Sequence, residues 1–264
     1  MTRLTVHTRM GWNTPEPATA VLLVRVAQAA GQTIVDEELS VEGAEVDDPG
    51  PRRDGGARPL RLHAKPTTVR LAYDATVDLH QSSVDADLAL PSLGDLDLDL
   101  FTWTLPSRYC PADVLGPTAD HLFGRAERTG ALLEQVRAWV QHNIAYVPGT
   151  SDVHTAADET MLRRTGVCRD LAHLTATLLR GLGVPARLVA AYALDLEPPD
   201  FHAVVEAHDG RGWRLLDATG LAPVGTLARI ATGRDAAEIA WGTTEGPLWL
   251  EHLDVRVARA DAAT

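Results

Sequence analysis

Length, composition and charge exclude several classes of protein. The chain has 264 residues, of which 45% are apolar and 23% are charged, an ordinary globular composition that can bury a large core. Its formal net charge of −12 argues against the basic surface that a nucleic-acid partner would require.

The sequence also argues against a membrane-spanning or disulfide-bonded protein. Residues 1–7 lack an apolar core of signal-peptide length. The longest apolar run, Ala18 to Ala30, is interrupted by polar side chains and is too short to cross a bilayer. The two cysteines cannot form a disulfide framework, and a free thiol suits a reducing compartment. We therefore expect a cytoplasmic protein without a membrane partner, whose oligomeric state the sequence leaves open.

The first hundred residues are typical of β structure. Segments 21–27, 33–41 and 67–80 are rich in β-branched residues, and clusters of glycine, proline and aspartate separate them. The cluster at 47–56 predicts an exposed loop. Aspartate and leucine alternate from Asp95 to Leu100, which fits a strand with one exposed face and equally fits a solvated acidic linker. We predict a β-rich N-terminal domain that ends at residue 104.

From Leu105 onward the pattern predicts helices followed by strands. The predicted elements are a helix around 132–144, a short helix near 155–164, a long helix over 168–182, and strands at 186–194, 201–208, 212–216 and 248–260. The long helix is predicted from one apolar stripe, formed by Leu171, Leu174, Leu178 and Leu182. The last residues, 261–264, are expected to fray. We predict that this second domain spans residues 105–264.

Cys168 lies at the predicted start of the long helix, directly after Gly166 and Val167. A helix N-terminus and a nearby imidazolium both lower the pKa of a thiol, and the thiolate is the nucleophilic form. The backbone N–H groups of the first turn could also bind the oxyanion of a tetrahedral intermediate. The alternative interpretation is a small buried structural residue, as most unpaired cysteines are.

A histidine and an aspartate follow on a predicted β-hairpin. Asp209-Gly210 favours a two-residue turn, and in that register His202 lies directly opposite Asp217, with Cβ atoms about 5 Å apart. A four-residue loop makes the two residues diagonal neighbours on one face, whereas a three-residue loop puts them on opposite faces. In the first two registers His202 can take the thiol proton, while Asp217 orients the imidazole and stabilises its charged form.

Other candidate residues have simpler explanations. A zinc site of Cys168, His173, His202 and His208 is conceivable, but no metal-binding spacing supports it. Glu206 is expected to be a solvated strand residue. Cys110 is interpreted as structural, and Asp170 as an ordinary charge that favours the helix N-terminus.

Four motifs together resemble the bacterial transglutaminase-like superfamily. They are Gly166-Val167-Cys168-Arg169-Asp170-Leu171-Ala172-His173, Leu178-Leu179-Arg180-Gly181-Leu182-Gly183-Val184-Pro185-Ala186-Arg187, Phe201-His202-Ala203-Val204-Val205-Glu206 and Trp213-Arg214-Leu215-Leu216-Asp217-Ala218-Thr219. Their order and spacing are similar to those of the family, and the likeness extends over roughly 105–240. The first hundred residues resemble the β-rich region that often precedes this domain in bacterial members.

The resemblance implies an α+β fold with a papain-like transglutaminase core, in which a helix-borne cysteine packs on an antiparallel sheet. By position it makes Cys168 the nucleophile, His202 the base and later the acid, and Asp217 the orienting carboxylate. The family comprises transglutaminases, proteases, amidases and deglycosylating hydrolases, which share an acyl-enzyme step. It implies a peptide or amide substrate for the domain over 105–264, and neither a metal nor an organic cofactor.

Two features of the resemblance leave alternatives open. Many members carry tryptophan two residues after the histidine, where this chain has Val204, a departure that bears on the substrate groove and not on the triad. A second oxyanion donor is not identified by the motifs, and Asn143 is only a candidate. The alternative function is a catalytically inactive peptide-binding module of the same fold.

Overall fold

The computed structural model describes residues 1–51 and 56–260. Positions 52–55 of the predicted exposed loop lie outside the described residues, as do the terminal residues 261–264 that were expected to fray. Among the described residues, the helices lack the combination of length and apolar character that crossing a bilayer requires.

The described elements up to Leu79 are strands, and helices and strands are interspersed from Leu98 onward. The strands are β1 (Thr2–Thr14), β2 (Ala18–Leu22), β3 (Gln32–Glu42), β4 (Ala44–Asp47), β5 (Leu60–Ala64), β6 (Thr67–Leu79), β7 (Ala145–Tyr146), β8 (Thr165–Gly166), β9 (Ala186–Ala193), β10 (His202–His208), β11 (Trp213–Leu216), β12 (Leu227–Gly233), β13 (Gly242–Glu245) and β14 (Trp249–Arg259). The α-helices are α1 (Ala112–Phe123), α2 (Gly130–Asn143), α3 (Ala157–Arg163), α4 (Cys168–Gly181) and α5 (Ala236–Ile239), and 3₁₀ helices cover Leu98–Thr104 and Val224–Thr226.

Three antiparallel sheets organise these elements. Two belong mainly to the N-terminal region, in the orders β14-β1-β6-β3 and β13-β2-β5-β4, and the third has the order β11-β10-β9-β12. The strand predicted over 248–260 is confirmed as β14, and it pairs with β1. Strands β13 and β14 thus return from the second half of the chain to the N-terminal sheets. The division between residues 104 and 105 stays a prediction.

The fold of the second half positions α4 against the third sheet. α4 contacts β9 and β10, and its leucine stripe Leu171, Leu174 and Leu178 is buried. Side chains at this spacing lie on one face of a helix, so the stripe that predicted the helix is the face it buries. The predicted α+β fold, with a helix-borne cysteine on an antiparallel sheet, is confirmed.

The alternating segment 95–100 is not a strand. A 3₁₀ helix begins at Leu98, and the Asp97 carboxylate accepts a hydrogen bond of 3.0 Å from the Asp99 N–H at its start. Leu98 is 85% exposed. The strand interpretation was therefore wrong, because short acidic side chains bond to the local backbone and favour turns over sheet pairing.

The hairpin between β10 and β11 has a four-residue loop. His208 pairs with Trp213 and Val205 with Leu216, so the loop runs over 209–212 and the two-residue prediction is wrong. The Asp209 carboxylate accepts hydrogen bonds from the N–H groups of Arg211 (2.8 Å) and Gly212 (2.9 Å). These bonds close a wider loop than the Asp-Gly pair alone favours.

Candidate active site

The start of α4 presents Cys168 as its first residue. β8 leads into it, and Val167 adopts the extended backbone of an N-cap. Valine has no side-chain acceptor, so the cap is provided by Asp170, whose carboxylate accepts from the Val167 N–H at 2.9 Å. Asp170 is fully buried and pairs with Arg169 at 3.0 Å, which makes it a local anchor of this turn rather than the ordinary helix charge that we expected.

Cys168 itself is partly exposed, which an attacking thiol requires. Gly166 lets the backbone of β8 pass close to the first turn of α4, because a Cβ at this position would lie only 2.7 Å from the Asp170 Cβ. The strand, the glycine and the capping carboxylate together fix where the sulfur emerges from the helix.

His202 and Asp217 lie side by side in the sheet that α4 covers. The four-residue loop makes them diagonal neighbours on one face, as the alternative register predicted, and His202 Nε2 is 3.0 Å from Asp217 Oδ2. Both side chains are almost fully buried. Because Nε2 faces the carboxylate, Nδ1 is the ring nitrogen left to face a partner other than Asp217.

Thr219 completes this cluster and was not identified from the sequence. Its N–H and its hydroxyl both donate to Asp217 Oδ1, at 2.8 and 2.7 Å, and the hydroxyl oxygen lies 3.4 Å from His202 Nε2. One carboxylate oxygen is thereby held by the threonine while the other faces the imidazole. An aspartate followed two residues later by threonine is typical of such a local turn, a signal that could have predicted the contact.

The contact between His202 and Asp217 favours the protonated, charged form of the His202 imidazole. Burial lowers the pKa of His202, but hydrogen bonds with Asp217 and with Cys168 outweigh burial and raise it to about 9. Burial raises the pKa of Asp217, but the bonds with His202 and Thr219 outweigh it, and the pKa falls below its ordinary value. At neutral pH the cluster is therefore an imidazolium–carboxylate pair next to the thiol.

Tyr146 approaches the same helix turn from β7. β7 and β8 are parallel, with Tyr146 opposite Gly166, and the Val147 N–H donates to the Gly166 carbonyl at 2.9 Å. Partial burial of the phenol, together with the proximity of Cys168, raises the pKa of Tyr146 above its ordinary value. Asn143, the candidate named from the sequence as an oxyanion donor, instead donates to the Trp139 carbonyl at 2.8 Å and is exposed at the end of α2.

Cys110 and His173, two further candidates from the sequence, are buried core residues. The Cys110 sulfur is buried 3.6 Å from the His173 carbonyl, and burial raises its pKa to about 11, so it stays a neutral thiol. His173 is buried and stacks on Tyr109. Among residues 1–51 and 56–260, no group of three or more histidine, cysteine or acidic side chains converges as a metal site would require. The four residues of the zinc alternative therefore form no such group.

Glu206 is not the solvated residue that we expected. It is fully buried and accepts hydrogen bonds from Arg187 at 2.8 Å and from Arg229 at 2.5 Å. No pattern in the sequence indicates that Arg187 of β9 and Arg229 of β12 both bond to this side chain. A buried carboxylate with two such partners is a structural ion cluster.

Comparison with known proteins places these observations in a family. Residues 118–218 match the model of the transglutaminase-like superfamily. The uncharacterised protein ML0607 of Mycobacterium leprae is 25% identical over 146 residues, a match that spans 51% of this chain and 51% of that protein. The chain therefore spans about half the length of this curated relative.

One solved structure is similar over the whole chain. A protein of Cytophaga hutchinsonii, provisionally named a cysteine protease, superposes with a TM-score of 0.92 at 35% identity, covering 100% of this chain and 92% of that one. The periplasmic domain of TgpA from Pseudomonas aeruginosa matches with a TM-score of 0.42 at 19% identity over 85% of this chain and 94% of its own. The chain belongs to the transglutaminase-like superfamily.

Proposed function

We propose that the chain is a thiol-dependent acyl-transfer enzyme in which Cys168 is the nucleophile, His202 the general base and acid, and Asp217 the orienting carboxylate. The single observation that carries the proposal is the buried His202–Asp217 contact of 3.0 Å beside a helix-start cysteine. This arrangement provides the activated thiol, the proton carrier and the fixed tautomer that nucleophilic acyl transfer needs.

The reaction begins with attack of the Cys168 sulfur on the carbonyl carbon of a peptide or amide. A carbon–sulfur bond forms and the carbonyl electrons move to oxygen, next to the N–H groups of the first turn of α4. When the intermediate collapses, the carbon–nitrogen bond breaks and His202 donates its proton to the leaving amine. Water or a second amine then attacks the thioester carbon, and His202 takes up the proton that the attacking group releases. The carbon–sulfur bond breaks, which releases the acyl product and returns the sulfur of Cys168 as a thiolate beside the protonated His202.

Hydrolysis is the reaction that we favour over amine transfer. The provisional name of the Cytophaga hutchinsonii relative points to peptide hydrolysis, and no dedicated amine site is evident in the sequence. The chain has a single lysine, Lys65, so covalent self-oligomers would be rare whichever reaction occurs. Amine transfer must therefore be tested with an added primary amine and an external acyl donor.

Alkylation at acidic pH tests whether the thiol is activated. At pH 6 less than about 1% of an ordinary free thiol is thiolate, so an unassisted cysteine reacts slowly with iodoacetamide. We expect Cys168 to alkylate faster than a cysteine in a short unstructured peptide, and we expect His202→Ala to remove this advantage. Peptide mapping of the alkylated protein gives both rates, with Cys168→Ala as the control for reaction at Cys110.

An alkylation rate no greater than that of the free peptide would exclude an activated nucleophile. The chain would then be better described by the alternative interpretation, a peptide-binding module that keeps the fold without the reaction. Equal rates in the wild type and in His202→Ala would exclude the histidine as the base.

A further inference from the structure

We propose that a cavity between the N-terminal region and the third sheet binds a small molecule that carries a phosphate or carboxylate group. The cavity has a volume of about 320 Å³, which is the size of a small-ligand pocket. Among the residues that the structure describes, its walls include none of Cys168, His202 and Asp217. This binding site is therefore separate from the acyl-transfer site and does not depend on that function.

Both halves of the chain contribute to the walls of the cavity. Segments 29–31 and 80–82 come from the N-terminal region, where they directly precede β3 and directly follow β6. Each strand of the third sheet contributes one charged wall residue, and these are Arg187 from β9, Glu206 from β10, Arg214 from β11 and Arg229 from β12. Arg211, in the loop between β10 and β11, also lines the cavity. Ligand pockets are preferentially found where two parts of a fold meet in this way.

The walls of the cavity are rich in positive charge. Four of the described wall residues are arginines, whereas Glu206 is the one acidic side chain among them. Glu206 is fully buried and accepts hydrogen bonds from Arg187 at 2.8 Å and from Arg229 at 2.5 Å. Arg229 is itself only 5% exposed and therefore shares its carboxylate partner within the protein interior. Burial of a guanidinium that shares its counter-ion is costly, and an anion in the cavity offsets this cost.

The other two arginines differ in how firmly they are held. Arg214 Nε lies 2.7 Å from Asp209 Oδ2, and both side chains are largely buried. The side chain of Arg211 is 67% exposed, and its ion pair with the exposed Asp85 spans 3.7 Å. Exposed ion pairs contribute little to stability, so this pair can be exchanged for a contact with a ligand. Arg211 can therefore turn its guanidinium toward an anion in the cavity, while Arg214 stays in place.

The chemistry of the walls indicates the class of ligand. Guanidinium groups bind the oxygens of carboxylates and phosphates through paired N–H donors. Ser82 adds a hydroxyl group to the walls, and Trp213 adds an aromatic ring. The guanidinium carbon of Arg187 lies 4.0 Å from the centre of that ring, and this stacking holds the guanidinium plane in position. The volume and the charge together match a small organic anion rather than a macromolecule.

Isothermal titration calorimetry on the full chain tests this proposal, with inorganic phosphate and citrate as probes at constant ionic strength. We expect one equivalent of at least one of these anions to bind the wild type. Binding of phosphate alone identifies a phosphate ligand, and binding of citrate alone identifies a carboxylate ligand. Arg211→Gln should weaken the binding by about tenfold or more, which is the effect of losing one charge-assisted hydrogen bond.

Arg61→Gln is the matched control for the change in net charge. Arg61 is also exposed, pairs with Asp47 at 2.8 Å and lies outside the walls of the cavity, so this variant should bind with unchanged affinity. Cys168→Ala should also bind as the wild type does. The proposal would be overturned if neither anion bound, or if Arg211→Gln and Arg61→Gln bound equally well. Loss of binding in Cys168→Ala would overturn it too, because the anion would then lie at the acyl-transfer site.

Discussion

At the scale of single residues, the site depends on a buried histidine that keeps its charge. Burial alone would favour a neutral imidazole, but His202 contacts an aspartate held in turn by Thr219, and its pKa rises to about 9. In the proposed chemistry this imidazolium carries the proton that a leaving amine needs. The charge that the proposal requires therefore depends on the fixed carboxylate of Asp217.

The raised pKa of His202 predicts how stability varies with pH. The group binds its proton more tightly in the folded chain than in the unfolded one, where its ordinary value is 6.5. Its contribution is thus complete below about pH 6.5 and is lost as the pH rises through about 9. Asp217→Asn removes the main source of that stabilisation. We expect the variant to be less stable than the wild type by a larger margin at pH 6.5 than at pH 9.5, measured by urea unfolding.

Asp47→Asn is the control for this comparison. Asp47 forms an exposed pair with Arg61 at 2.8 Å, so removal of its charge should change stability little and by the same amount at both pH values. A difference between wild type and Asp217→Asn that does not change from pH 6.5 to 9.5 would contradict the charged pair.

Sequence reasoning reached some residues of the site and missed others for identifiable reasons. His202 and Asp217 could be paired because the register of a hairpin follows from the length of its loop. Two of the three loop lengths considered place both residues on one face. The position of Tyr146 near the start of α4 could not be predicted from the sequence. It depends on the parallel pairing of β7 with β8, two short strands 20 residues apart whose contact no periodic pattern predicts.

At the scale of elements, the start of α4 is built around one small residue. Gly166 lies opposite Tyr146, and its missing side chain leaves space for the Asp170 carboxylate that caps Val167. The same turn thus carries the helix cap and the proposed nucleophile Cys168. Any side chain at position 166 would disturb both.

Gly166→Ala is therefore expected to destabilise the chain. The new Cβ would lie 2.7 Å from the Asp170 Cβ, too close for the cap to stay in place. Overpacking of this kind typically costs about 1–3 kcal/mol of unfolding free energy. Urea unfolding measures the loss, and the rate of Cys168 alkylation at pH 6 should fall as well because the first turn of α4 shifts.

Gly225→Ala provides a matched glycine-to-alanine change. A Cβ at this position meets no atom within 4 Å, so the free energy of unfolding should stay the same or rise slightly. If Gly166→Ala proved as stable as Gly225→Ala, the close approach of Gly166 to Asp170 would not be a constraint on the site.

Helices and strands could be predicted where apolar residues recur at a regular spacing along the buried face of the element. The leucine stripe predicted α4 within one residue, 168–182 against 168–181. β1 was missed although its buried residues Leu4, Val6, Met10 and Trp12 alternate, because polar side chains between them conceal the pattern in a search for apolar runs. The 3₁₀ helix at Leu98–Thr104 was missed because alternation of aspartate with leucine imitates a strand.

At the scale of the whole molecule, buried hydrogen bonds join the N-terminal sheets to the third sheet. The Tyr192 hydroxyl of β9 bonds to Thr8 of β1 at 2.7 Å and donates to the Val24 carbonyl at 2.6 Å. Gln32 of β3 donates to the Arg229 carbonyl at 3.0 Å and accepts from the Arg229 N–H at 2.8 Å. Leu4 and Leu174 belong to a single apolar core. The two halves of the chain are therefore packed together.

This long-range organisation could not be predicted from the sequence. The composition shift near residue 105 is real, yet β14 pairs with β1, as in Leu4 opposite Arg259, which are 255 residues apart. Pairing between strands so far apart in the sequence leaves no local signal, because each strand by itself shows only an alternating pattern of residues. We propose that residues 1–104 and 105–264 remain the functional division, with the N-terminal sheets supporting the region that carries Cys168.

The central claim is that Cys168 forms an acyl-enzyme with His202 as its proton carrier. Intact-mass measurement and peptide mapping after brief exposure to p-nitrophenyl acetate test it most directly. The account predicts one acetyl group on Cys168 in the wild type, none at this position in Cys168→Ala, and formation slowed by about 10²–10⁴-fold in His202→Ala. A wild-type chain that acquires no acetyl group on Cys168, or a His202→Ala variant acetylated there equally fast, would contradict it.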